Sequence, residues 1–133
     1  MRHRYLTASL CIVVSFVAGH ALAQDEPVSF ERDVLPLFEK HCFKCHAGDD
    51  AESGLQLTSR HGILRGGDRG PAAVPGDPSS SLLIAAVKHA GKLKMPRGGD
   101  RLTDEQVAAL ETWIRKGLPW SGNNRVLARE RRV

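Results

Sequence analysis

The sequence is short of aromatic residues, cysteine and methionine. Aromatic side chains make up 5% of its 133 residues, as two Trp, one Tyr and four Phe. So few and so scattered, they offer no base-stacking surface, and nucleic acid is not an expected partner despite a net charge of +4. There are three cysteines, and in an exported protein a remaining pair normally invites a disulfide reading, which is kept as a minor alternative. No internal repeat is present. The only alternation of apolar and polar residues, around Leu55 and Leu57, is too short to found a sheet. Strand content should be negligible, and one domain is the default for this length.

The N-terminus is unlike the rest. Arg2, His3 and Arg4 form a positive region, an uncharged and mostly apolar run follows, and Ala21-Leu22-Ala23 makes a small-residue cleavage site. This is the anatomy of a secretory signal peptide over residues 1–23. The rival reading is a retained anchor, since a spanning helix needs about 20 predominantly apolar residues. Thr7, Ser9, Ser15, Gly19 and His20 dilute the run, and cleavage after Ala23 is the expectation. Cys11 is read as filler of the apolar run. Processing leaves 110 residues, with 17 Lys and Arg against 15 Asp and Glu once Arg2 and Arg4 are gone. No later segment is apolar enough to span a bilayer. A domain this small often needs a staple.

Two cysteines then remain, in His41-Cys42-Phe43-Lys44-Cys45-His46. Cys-x-x-Cys-His is the attachment pattern of a c-type haem. Each thiol can add to one haem vinyl group, and the next histidine can ligate the iron. Two other chemistries fit less well. A dithiol Cys-x-x-Cys usually opens a helix after a strand, whereas this pair follows a helical pattern. Zinc needs further ligands, and a second cysteine pair is missing.

The rest reads as helices and loops. Phe30, Val34, Leu37 and Phe38 share one helical face. Pro36 forces either a separate turn over Phe30–Asp33 or a kink before the helix reaches about Lys40. Ser59 can cap a short helix over Arg60–Arg65, stopped by Gly66-Gly67. Asp77 and Pro78 suit the first positions of a helix carrying Leu82, Leu83, Ala86 and Val87 and ending near His89–Gly91. Thr103 and Gln106 have capping-box spacing before Val107, Leu110, Trp113 and Ile114, and Gly117 closes that helix. Residues 121–133 are polar, basic and aperiodic, which predicts a flexible tail, with an acidic partner or a membrane surface as the alternative.

Met95 is the sole methionine once the signal is removed, 49 residues beyond His46 in an interhelical loop. It is the leading candidate for the iron's second axial position. His61, His89 and an open position are the alternatives. His41 is set aside as too near the attachment site. A thioether opposite imidazole raises the potential relative to two imidazoles. A partner for the other ring nitrogen of His46 is sought in the Pro71 carbonyl. Arg60, Arg65 and Arg69 are candidates for pairing with haem propionates.

From Phe30 to Trp120 the sequence resembles the cytochrome c-like domain of planctomycete proteins. The resemblance lies in Asp33-Val34-Leu35-Pro36-Leu37-Phe38 before the haem motif, in Gly66-Gly67-Asp68-Arg69-Gly70-Pro71-Ala72, in Val74-Pro75-Gly76-Asp77-Pro78, in Lys94-Met95-Pro96 and in Gly117-Leu118-Pro119-Trp120. It implies an all-α, cytochrome c-like fold over residues 24–120, four to five helices around one haem c. It also implies thioether bonds at Cys42 and Cys45 and axial ligation by His46 and Met95. In that family the domain commonly begins a longer polypeptide, so a free-standing carrier and a fragment of a longer protein both stay open.

The expected function is that of an exported, periplasmic one-electron carrier, not an enzyme. The alternative is a haem-based sensor, or a redox module of a larger protein, in which Met95 is displaced. A peroxidase-like activity ranks third, since no acid–base group beyond His61 or His89 is placed for it. Lys88, Lys92, Lys94, Arg97 and Arg101 cluster around Met95 in sequence, with Asp100 opposing, and would steer an acidic redox partner if they surround the haem edge.

Overall fold

The computed structural model describes residues 27–121. The expected signal peptide and all but the first residue of the expected tail lie outside the described residues. The described chain is helical. A single π-helical turn, Phe30–Val34, leads into α1, Leu35–His41, and α2, Phe43–His46; α3, Arg60–Arg65, α4, Leu82–Val87, and α5, Asp104–Arg115, follow. No strand forms among the described residues, where only the isolated bridges Gly67–Gly70 and Val74–Asp77 occur. None of their helices is long and apolar enough to cross a membrane.

Pro36 accounts for the unusual start. Its ring would clash with the carbonyl four residues earlier in a continuous α-helix. The chain instead makes one wider turn, with the Leu35 amide donating to the Phe30 carbonyl, and Pro36 falls in the first turn of α1. Ser29 caps the π turn, donating its amide to Asp33 Oδ2 at 2.8 Å. The Arg32 side chain, helped by that amide, holds the Asp33 carboxyl below its ordinary value.

α3 and α5 begin where their capping residues predict. Ser59 Oγ accepts from the Gly62 amide at 2.9 Å. Thr103 and Gln106 form the reciprocal box that satisfies two otherwise unpaired donors. Leu102 and Val107, on either side of that box, are both buried in the core, the arrangement of a hydrophobic staple.

α4 departs from expectation and starts at Leu82, not at Asp77-Pro78. The Asp77 carboxylate is used up in a turn of its own, accepting from the Ser79 and Ser80 hydroxyls and the Ser80 amide. Buried Ser81 locks that turn, accepting from the Val74 amide at 2.9 Å and donating to the Asp77 carbonyl at 2.8 Å. Only after Ser81 is the backbone free to coil.

These bonds, that of Ser79 foremost, pull the Asp77 carboxyl from 3.8 to about 2. Because the folded value lies below the unfolded one, its contribution to stability is complete above 3.8 and disappears as the pH falls through about 2. Asp77→Asn should therefore be less stable than wild type at neutral pH, with the gap closing across that acid window. Denaturant titrations at a series of pH values check this, and a gap independent of pH would contradict it.

The core is organised by aromatic rings distant in sequence. Phe30, Phe38, Phe43, Trp113 and Trp120 form one cluster. Phe30 stacks on Trp120 with centroids 3.6 Å apart, and Phe38 meets Trp113 edge-on at 6.0 Å. Trp113 is fully buried, and its indole N–H donates to the Pro119 carbonyl at 2.9 Å. This cluster ties the segment entering α1 to the segment leaving α5. It fixes the base from which α1 presents the cysteine motif.

Candidate functional site

α1 ends at Cys42, whose φ of −124° breaks the helix. The Cys42 amide still donates to the Phe38 carbonyl at 2.8 Å, and the Cys42 carbonyl accepts from the amides of Cys45 and His46 at 3.1 and 3.0 Å. Those bonds make α2 a single tight turn, and Cys42, Cys45 and His46 face a common cavity from it. The cavity measures about 620 Å³, inside the range of about 300–1,000 Å³ usual for ligand clefts. Leu55, Leu57, Leu83, Val87 and Leu102 give it an apolar lining, and Met95 enters it from the loop after α4. His46 and Met95, 49 positions apart in sequence, thus line one cavity.

The two thiols differ. Cys42 is half-buried, and burial pushes its thiol up to about 12; Cys45 is exposed. No disulfide joins them. Two imidazole nitrogens of this wall, Nε2 of His41 and Nδ1 of His46, are buried without a hydrogen-bond partner. Buried polar atoms are rarely left unpaired. The expected bond from His46 to the Pro71 carbonyl is therefore not formed. The neighbouring Gly67–Gly70 turn closes on itself instead, its amides and carbonyls exchanging bonds at 2.9 and 3.2 Å.

The remaining histidines fall differently from their sequence ranking. His61 is exposed on α3 and does not line the cavity. His89 does not line it either, and its Nε2 lies 3.1 Å from the Met95 carbonyl oxygen. His41, set aside from the sequence, does line it. Periodicity gave no signal for this, because the break at Cys42 decides which way the end of α1 faces.

Of the three arginines considered for propionates, only Arg69 reaches the cavity. Arg60 donates to the Leu118 and Gly117 carbonyls, both at 3.2 Å, and Arg65 to the Gly54 carbonyl at 2.9 Å. The basic cluster around Met95 is also less free than its sequence suggests. Lys88 pairs with Glu111, Arg101 with Asp104 at 2.7 Å, and Arg97 approaches Glu52 at 3.9 Å. The fold supplies three carboxylates that are distant in sequence or hidden in the next helix. Lys92 and Lys94 are the two members with no ion pair among the described residues.

Gly66 and Gly67 set how closely the turn over residues 66–70, which lines one side of the cavity from Gly67 onward, can pack. A β-carbon on Gly66 would meet the Gly70 carbonyl, and one on Gly67 would meet the Ser53 carbonyl.

Residues 42–99 match the family model described as planctomycete cytochrome C. No curated protein and no solved structure matches the chain. The matched stretch runs from the first cavity thiol through the loop that bears Met95. Over that stretch the chain is similar to the planctomycete cytochrome C family.

Proposed function

We propose that this protein is an exported monohaem c-type cytochrome that works as a one-electron carrier and not as an enzyme. One observation carries the reading: Cys42, Cys45, His46 and Met95 line a single, mostly apolar cavity of about 620 Å³. That donor set suits haem c and no other common group. Two thiols at i and i+3 sit on one helical face, the imidazole follows directly, and a thioether comes from a separate loop. The unpaired buried Nε2 of His41 also fits a wall that faces a bound group. A haem held there supplies a one-electron Fe(III)/Fe(II) couple.

The chain's own residues then have distinct tasks. Cys42 and Cys45 anchor, in place of the staple a small domain often needs. His46 and Met95 would ligate the iron, and the soft thioether would favour the ferrous state. Leu55, Leu57, Leu83 and Val87 keep water from the site and lower the local dielectric. The N-terminal pattern of residues 1–23 supports a periplasmic location. Lys92 and Lys94 remain for an acidic redox partner.

The loaded protein should show a low-spin, six-coordinate spectrum and a reversible one-electron reduction. Met95→Ala should remove the weak long-wavelength ferric band that thioether ligation gives and lower the midpoint potential. A high-spin wild-type spectrum would refute the carrier reading. A sensor in which Met95 is displaced is the second reading, favoured by the open surroundings of Gly98, whose φ is +72° and which has no neighbour near its β-position. Fast, tight carbon monoxide binding to the ferrous wild type would select it.

A further inference from the structure

The loop carrying Met95 is fastened to the end of α4 by main-chain and side-chain bonds. The Met95 amide donates to the Ala86 carbonyl at 3.0 Å, and the Leu102 amide to the Val87 carbonyl at 3.1 Å. Between them His89 Nε2 lies 3.1 Å from the Met95 carbonyl oxygen. That oxygen can only accept, so the ring carries its hydrogen on Nε2. Met95 is thus gripped at both its amide and its carbonyl. His89 reaches it from a left-handed backbone, φ +56°, directly after α4. A non-glycine residue in that region is uncommon, and such outliers gather where the surrounding structure holds a functional geometry. The ring is half-buried and does not line the cavity, so the chemistry proposed for the cavity leaves it without a task.

We infer that His89 is a positioning residue whose bond to the Met95 carbonyl holds that methionine in place and sets how easily another ligand displaces it. The inference rests on the reading that Met95 is an axial ligand. His89 touches neither the iron nor the haem in this account. It acts on the loop, by raising the cost of swinging Met95 away.

The test uses the haem-loaded, ferric protein at fixed pH, with imidazole as the competing ligand. His89→Asn keeps a residue tolerant of left-handed backbone but is too short to reach the carbonyl. His89→Gln restores an amide donor at the reach of Nε2. Asn should let imidazole displace Met95 at roughly threefold to tenfold lower concentration, the effect expected from one neutral hydrogen bond. Gln should titrate near wild type. A purely structural role would lower the denaturant midpoints and leave the imidazole titrations superimposed. Superimposed titrations, or a Gln variant as weak as Asn, would overturn the inference while the thioether band persists in wild type. If Met95→Ala leaves the wild-type ferric spectrum unchanged, the ligation reading itself falls and this inference falls with it.

Discussion

Replacing Cys42 and Cys45 together by alanine should abolish covalent haem retention. Wild type denatured in detergent should keep haem on the polypeptide, the double variant should keep none, and each single variant should keep it through one bond. The two thiols end on the same cavity because the Cys42 carbonyl accepts from both the Cys45 and His46 amides. That double acceptance winds residues 43–46 into one turn, so side chains three positions apart lie on one face. Cys42 is half-buried, its thiol pushed up to about 12, whereas Cys45 is exposed. The single variants should therefore differ, with loss of the exposed Cys45 disturbing the packing less. Haem staining of denaturing gels reads all three. Haem travelling with the double variant would mean that attachment runs through some other group.

Gly66→Ala should strongly disturb the turn whose residues 67–70 line the cavity. Gly66 has φ +73° and ψ −163°, a region essentially restricted to glycine. Its β-carbon would also run into the carbonyl of Gly70 and the Cα of Pro71, all backbone that cannot swing aside. Strain and overpacking together should cost about 2–4 kcal/mol. In a domain of this size that lowers the melting temperature by roughly 10–30 °C. Gly91→Ala is the control, since nothing lies near its β-position and its backbone is not left-handed. Calorimetry on both variants decides the matter: equal melting temperatures would show that the Gly66–Gly70 turn does not pack as described.

Parts of this protein were legible from local chemistry because the signals act over a few residues. Ser59 and Thr103 cap their helices by bonds to amides three positions on, and both helices begin as predicted. The face Val107, Leu110, Trp113 and Ile114 is buried as its spacing implies. The start of α4 was missed because Asp77 and Pro78 suit a helix and a turn equally well. Ser81, buried against the Val74 amide, decides for the turn, and its burial is a property of the fold.

The sequence by itself determined the helical class, the thiol–thiol–imidazole motif and the identity of the one methionine beyond Met1. These follow from short-range periodicity, capping and motif spacing. The tertiary structure decided the rest. It gathered five rings that look scattered along the chain into one cluster. It brought Met95 to the same cavity as His46, put His41 on that cavity's wall and kept His61 and His89 off it. It also set Glu111 against Lys88 and Glu52 against Arg97, carboxylates that lie far from those cations in sequence. The physical reason is common to all of these. Each depends on groups tens of residues apart, or on which way a broken helix end faces, and burial of apolar surface fixes both only when the whole chain packs.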